Sequence, residues 1–309
     1  MDGVLNLYKP PGPTSFSMVR SVKKILNVGK AGHIGTLDPI AEGVLPIGLN
    51  KSTKIIPFLT RLSKVYTGVM LLGVETDTQD ATGKVLSQTS AANIDEDTAK
   101  AAAKEFEGDL QQVPPMFSAK KKNGVPLYKL ARNGITIKRN PVSLRIHSLR
   151  ITRKNGDEVA FQVHCSAGTY VRTLCHDIGV RLGCGAHLLR LVRTQVGYFN
   201  LENSITLDEL KAAESQGTLS DKIFTLEKVL DFLPELQIKK GHAKIVSHGT
   251  PLSKSFLETL PDPCRPGMKF RVTNGGNRLI AVVESLIDKD SFARLEPNEI
   301  AFKPNRVFA

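Results

Sequence analysis

The sequence predicts a mixed α+β protein in two parts, a large body followed by a small β-rich C-terminal domain. Three observations carry this. Strand-like and helix-like runs are interleaved along most of the chain. Pro234 closes the last helical pattern, and the segment beyond it alternates short β-like runs with Gly/Asn turns, as a small β-barrel does. A length of 309 residues is also too great for one small core and suits one large domain plus one small one. The expected domains are 1–233 and 234–309, the second folding separately.

The first element, Val4-Leu5-Asn6-Leu7-Tyr8, reads as a strand or extended arm, and Lys9-Pro10-Pro11-Gly12-Pro13 forbids regular structure after it. A helix is expected from Ser15 as N-cap, with Phe16, Val19, Val22 and Leu26 as its apolar face and Asn27-Val28-Gly29 as its stop. Residues 30–50, glycine-rich among apolar residues, read as a structured loop between buried flanks. A strand follows at 65–74, then a Thr82-Gly83 turn and a short strand at 84–86. Residues 95–107 are Ala-rich and end at Gly108, a helix. Residues 114–140, with Pro114-Pro115 and Lys120-Lys121-Lys122-Asn123-Gly124, read as a basic excursion with a helical patch near 127–132. Strands are expected at 143–153, 158–165 and 188–196. Between the last two lies a helix from about 169 to 182, with Val171, Leu174, Ile178 and Leu182 on its apolar face and Gly183 as cap. Short helices at 206–215 and 225–232 lead to Pro234, and Asn274-Gly275-Gly276 marks a turn in the barrel.

Charge narrows the partners. The formal net charge is +12, from 42 Lys+Arg against 30 Asp+Glu, the footprint of a polyanionic partner such as nucleic acid. A basic protein kept soluble by its charge has the same composition. No apolar run is long enough to span a bilayer, and Met1-Asp2-Gly3-Val4-Leu5 lacks the cationic leader of a secretion signal, so a cytosolic (cytoplasmic) protein is expected. The cysteines Cys165, Cys175, Cys184 and Cys264 form no C-x-x-C pair and read as reduced thiols.

The densest candidate for chemistry is Gly32-His33-Ile34-Gly35-Thr36-Leu37-Asp38-Pro39-Ile40-Ala41-Glu42-Gly43. An Asp before Pro is commonly a turn residue accepting backbone N–H bonds. Glycines on both sides, however, allow close backbone approach, and the apolar residues between them would anchor the loop, which suits a catalytic carboxylate. Arg172, off the apolar face of its helix, is either a surface ion-pair partner or a guanidinium that keeps a buried carboxylate ionised and lowers its pKa. Tyr66, beside Lys64 at a strand start, is either half-buried core or a platform for an extruded base. His164, Cys165, Cys175, His176, Cys184 and His187 are of zinc-binding types at non-zinc spacings. Glu75, Asp77 and Asp80 lack the glycine and terminal Glu of a calcium loop and read as a solvated turn.

Six ordered motifs then resemble one family. They are Lys9-Pro10…Gly12-Pro13-Thr14-Ser15, Gly32-His33-Ile34-Gly35-Thr36-Leu37-Asp38-Pro39, Pro114-Pro115-Met116-Phe117-Ser118-Ala119-Lys120, Leu127-Tyr128…Ala131-Arg132…Gly134, Gly168-Thr169-Tyr170-Val171-Arg172-Thr173-Leu174…Asp177-Ile178-Gly179 and Gly183-Cys184-Gly185-Ala186-His187. The chain resembles the bacterial tRNA pseudouridine-55 synthases, the TruB family, over roughly residues 3–200. Its C-terminal segment is similar to a PUA domain, an RNA-binding barrel. Glu42 departs from the small residue more usual before the glycine.

The resemblance implies a pseudouridine-synthase fold with a central, largely antiparallel sheet flanked by helices. It implies a tRNA T-arm stem-loop as partner, a monomer, and neither metal nor organic cofactor. By position it implies Asp38 as the catalytic carboxylate and Arg172 as its partner. Tyr66 is the tyrosine stacking on the target base, Tyr170 and Leu191 line the uracil pocket, and His33 contacts the RNA loop around the flipped-out base. Residues 117–140, within the 114–140 excursion, match a thumb that closes on RNA. Lys9, Lys120, Lys121, Lys122 and Arg132 are expected to meet phosphates. The guide-RNA-dependent relatives of archaea and eukaryotes share the Asp loop but resemble this chain less in 114–140, so no guide RNA is expected. A non-catalytic tRNA-binding or folding protein is the rival outside enzymology, and a folding role is compatible with catalysis.

Overall fold

The structure, a computed structural model, describes residues 1–239, 241–274 and 278–308. The expected Gly275-Gly276 turn lies outside the described residues. The body is built on a ten-stranded sheet. Its main path runs Ile223–Phe224, Gly3–Lys9, Glu42–Leu49, Ala186–Val196, Lys64–Leu72, Glu158–Cys165, Val142–Asn155 and Gly108–Gln112. Ala31–His33 pairs with Glu42–Leu49, and Phe199–Asn200 with Ala186–Val196. All these pairings are antiparallel except Ala186–Val196 against Glu42–Leu49, which is parallel at Val192↔Glu42 and Arg193↔Gly43. That one parallel contact brings Arg193 beside the Asp38 loop.

Helices cover the sheet where their apolar faces dictate. Ser15–Leu26 buries Met18, Val19 and Val22, while Phe16 is 66% exposed, so the expected face is rotated by part of a turn. Its N-cap is Thr14, whose hydroxyl accepts from the Ser17 N–H at 3.0 Å. Ser15, one residue on, is freed for another task. Glu96–Lys104 is capped by Asp95, and Leu207–Ser215 begins with a capping box of Thr206 and Glu209. Val171–Leu182 ends at Gly183 with φ 77°. Nearly every residue in its first turn and a half is buried, Arg172 included, because sheet and loops wrap that end.

Residues 30–50 are more regular than a loop. The run Val44, Leu45, Ile47 and Leu49 is fully buried and zips against the first strand in the register Lys9↔Gly43 to Gly3↔Leu49. Its glycines and Pro46 disguise a strand. Residues 121–126 form a two-stranded hairpin, followed by the helix Leu127–Arg132, and among the described residues this hairpin pairs with no strand of the main sheet. No helix among the described residues is long and apolar enough to cross a membrane.

After Pro234 a four-stranded antiparallel half-barrel forms among the described residues, in the order Leu252–Ser253, Ile300–Val307, Arg278–Ser285, Lys269–Asn274. It has its own core, with Leu236, Phe270, Val272, Val283 and Phe302 at its centre. It does not stand apart. Leu279, Val282 and Phe308 belong to one apolar cluster with Val4, Ile34, Val44, Phe58 and Val196 of the body. Lys54 adds a hydrogen bond to the Val307 carbonyl at 2.8 Å.

Candidate active site

Asp38 follows the strand Ala31–His33 and precedes Glu42–Leu49, on a loop fastened from three directions. Ser15 Oγ donates to the Leu37 carbonyl at 2.9 Å and accepts from the Leu37 N–H at 2.8 Å. Lys9 Nζ donates to the carbonyls of Pro10, Pro39 and Ala41 at 2.9, 3.3 and 2.6 Å. Arg193 donates to the carbonyls of Val44, Gly35 and Thr36 at 2.8, 3.0 and 3.4 Å. Gly43, at φ +106°, makes this approach possible, since a Cβ there would stand 2.3 Å from the Arg193 carbonyl oxygen. The loop is rigid because its own carbonyls meet buried donors delivered from distant parts of the chain.

This corrects the expectation for Lys9. Its side chain is fully buried and its ammonium is occupied by loop carbonyls, so it has no surface to offer a phosphate. Burial pushes its pKa down to about 8. Glu42, the departure in this loop, accepts a hydrogen bond from the Tyr8 hydroxyl of the neighbouring strand. That bond, with burial, raises the Tyr8 phenol to about 12.

A cavity of about 250 Å³ opens over Asp38. Its walls include Lys64, Tyr66, Ser118, Tyr170, Arg172, Leu188, Leu191 and Arg193. Asp38, Tyr66, Tyr170, Leu191 and Arg172 are thus brought together. His33, half-buried on its short strand, is not among the lining residues, and its Nδ1 has no hydrogen-bond partner. Burial, with Arg193 nearby, holds it below its ordinary pKa. Lys120, Lys121, Lys122 and Arg132 are exposed and are not among the lining residues, with Arg132 over the Tyr128 ring at 5.4 Å.

Arg172 is 5% exposed, which removes the surface-ion-pair reading. Its Nη2 lies 3.2 Å from Asp38 Oδ2 and also donates to the Phe117 carbonyl at the thumb root, while Nη1 lies 3.6 Å from Asp80 Oδ2. Asp80 corrects a second expectation. It is 4% exposed, not solvated, and accepts from Thr78 Oγ1 and the Thr82 N–H at 2.8 and 3.0 Å. Sequence reasoning missed it because a turn aspartate shows no sign of the cation it will face.

Removal from bulk water pushes the Asp38 carboxyl above the usual carboxylate range. Arg172, Lys9 and Arg193 pull it back, and Asp80 adds to the rise. The arginine therefore does what the sequence suggested, but burial outweighs it. Tyr66 is also pushed above its ordinary value, chiefly by burial, which makes its phenol a still poorer base. Arg193, missed entirely from the sequence, faces Tyr66 and is fully buried. The histidines and cysteines of the zinc-like set have other partners or are simply packed. His187 Nδ1 meets the Val74 carbonyl at 2.9 Å, His164 stacks on His147, and the cysteines are free and buried.

A carboxylate facing a partly open cavity, with an aromatic wall and arginines around it, suits attack on or deprotonation of a flat-ringed substrate. Comparison with known proteins decides the family. Residues 23–171 match the model of the TruB family pseudouridylate synthase N-terminal domain, and 172–233 that of the tRNA pseudouridylate synthase B C-terminal domain. The chain belongs to the TruB family of tRNA pseudouridine synthases. It is 47% identical over 257 residues to tRNA pseudouridine synthase B of Geotalea uraniireducens, covering 83% of each chain. With the Thermotoga maritima protein of that name it shares 39% identity over 309 residues, 99% of this chain and 98% of the other. A solved Cbf5–Nop10–Gar1 complex matches with a TM-score of 0.81 at 31% identity, covering 99% of this chain and 85% of that one. The TruB-family chain is accordingly an isomerase that converts uridine to pseudouridine in tRNA, on a mixed α+β fold with a C-terminal half-barrel.

Proposed function

We propose that the target is uridine 55 in the T-arm loop and that Asp38 is the catalytic carboxylate. The observation that carries this is the cavity itself, where Asp38, salt-bridged to a buried Arg172, shares walls with Tyr66, Tyr170 and Leu191. The reaction breaks the N1–C1′ bond, turns the uracil and joins C5 to C1′. The C5 proton leaves and N1 gains one, so atoms balance without oxidation and without a cofactor. A carboxylate serves either route to the cleavage, attack at C1′ or removal of the C2′ proton.

A uridine stacked in a folded loop is out of reach, so it must be extruded, and stacking on Tyr66 offsets part of the cost. Tyr66, with its raised pKa, positions the base and does not deprotonate it at neutral pH. Outside the cavity, His33 meets the RNA loop left behind, the thumb lysines and Arg132 meet phosphates, and the PUA-like half-barrel holds tRNA away from the modified loop. Greater identity to tRNA pseudouridine synthase B than to the Cbf5 complexes supports a stand-alone enzyme that uses no guide RNA. A tRNA-folding role fits the same surface.

The test uses tRNA transcripts tritiated at uridine C5. Replacing uridine 55 alone by cytidine should abolish tritium release, and a T-arm stem-loop should remain a substrate. Release that persists without uridine 55 would move the target elsewhere.

A further inference from the structure

We propose that Ser118, at the root of the thumb, is a further uracil-contacting residue whose hydroxyl donates to a carbonyl oxygen of the extruded base. The inference rests on the reading of the Asp38 cavity as the uracil pocket. Ser118 is 4% exposed and lines that cavity. Its Oγ is buried and has no hydrogen-bond partner. Among the described residues, the only other buried side-chain atom without a partner that belongs to this cavity's lining is Arg172 Nε. The Tyr170 hydroxyl lies close enough to Ser118 that the serine hydroxyl offsets part of the rise burial causes in the phenol, but the two do not meet in hydrogen-bond geometry.

The backbone around Ser118 is fixed. Its N–H donates to the Met116 carbonyl at 2.9 Å, and its own carbonyl accepts from the Tyr128 N–H at 3.0 Å. The preceding carbonyl, of Phe117, accepts from Arg172, the same guanidinium that pairs with Asp38. One side chain thus holds the serine in register with the catalytic carboxylate. A buried hydroxyl left unpaired is unfavourable, and a methyl group would fill that place at no such cost. The chemistry supplies the missing partner. When the N1–C1′ bond breaks, negative charge spreads onto uracil O2 and O4, and a fixed donor there stabilises the departing base more than the bound uridine.

The experiment measures single-turnover rate and RNA affinity for wild type and Ser118→Ala. The substrates are T-arm stem-loops carrying uridine, 2-thiouridine or 4-thiouridine at the target. Ser118→Ala should lower the rate on uridine about tenfold with RNA affinity within about twofold, since affinity comes mainly from phosphates. One thio substitution should slow wild type yet leave Ser118→Ala unaffected, because sulfur is the weaker acceptor. A Ser118→Ala rate within about twofold of wild type, or an equal proportional loss on all three bases, overturns the proposal. Asp38→Asn run alongside separates the two readings. If it retains turnover, the pocket itself is misassigned, whereas its loss with a normal Ser118→Ala removes only the serine.

Discussion

At the residue scale, Asp38 lies between burial and Asp80 on one side and Arg172, Lys9 and Arg193 on the other, and burial prevails. Catalysis needs the ionised form, so activity should fall as pH is lowered through a pKa raised above the ordinary carboxylate value near ~4. Single-turnover rates from pH 4 to 8 on the stem-loop would show the acid limb; a limb at or below about pH 4 contradicts the raised value. Lys9 makes a second prediction. Because it clamps Pro39 and Ala41 and reaches no phosphate, Lys9→Met should leave the salt dependence of RNA affinity unchanged. Turnover should drop about 10–100-fold as the loop loosens, the scale of a small misplacement of a catalytic group. A flatter salt slope in that variant would restore the phosphate role. The Asp38 loop was legible from the sequence as a candidate site because its glycines and apolar neighbours adjoin Asp38 in the chain. Lys9, Asp80 and Arg193 were not, because the carbonyls and charges that meet them are delivered by other parts of the chain. Arg193 reaches the Val44 carbonyl across 149 positions of sequence.

At the element scale, the helices most faithful to their sequence signals are those with strong local caps. Asp95 and the Thr206/Glu209 box set two starts, and Gly183 sets one stop. At the helix Ser15–Leu26 the sequence points one residue too late for the cap, because Thr14 and Ser15 both qualify chemically. Only the loop opposite, with its Leu37 backbone, decides which one caps. The strand Glu42–Leu49 was hidden since it is buried on both faces and broken by Gly43, Pro46 and Gly48, so no alternation remains. The basic excursion at 114–140 was legible, but not the contact of its Phe117 carbonyl with Arg172. Its exposed lysines predict a salt effect. Lys120, Lys121 and Lys122 replaced together by Ala should flatten the log–log salt slope of RNA affinity by ~0.7–0.9 for each phosphate they no longer neutralise. The chemical step at saturating RNA should change little. An unchanged slope would mean that this hairpin does not face RNA.

At the scale of the whole molecule, the half-barrel is both a separate core and a structural wall of the body. Leu279, Val282 and Phe308 close a cluster that includes Ile34 and Val44, the residues flanking the Asp38 loop. That shared cluster argues against separate folding of the two domains. A chain ending at residue 233 uncovers the apolar surface beneath three side chains, a loss on the order of 5 kcal/mol at roughly 1.5–3 each. It should melt well below the intact protein or aggregate. A truncated chain with an unchanged melting temperature would show that the shared cluster contributes nothing. The sequence marked where the second core begins, since composition changes near Pro234. It could not show that the second core packs on the first, because apolar residues facing another domain and those facing their own core read alike.

Whether Asp38 performs the chemistry can be read from tritium release by a T-arm stem-loop labelled at uridine C5, wild type against Asp38→Asn, with RNA affinity measured on the same preparations. The amide keeps the size and much of the hydrogen bonding while removing charge and nucleophilicity. RNA binding should stay near normal while tritium release falls by orders of magnitude. Release within about tenfold of wild type would contradict the assignment, since loss of the essential carboxylate cannot cost so little.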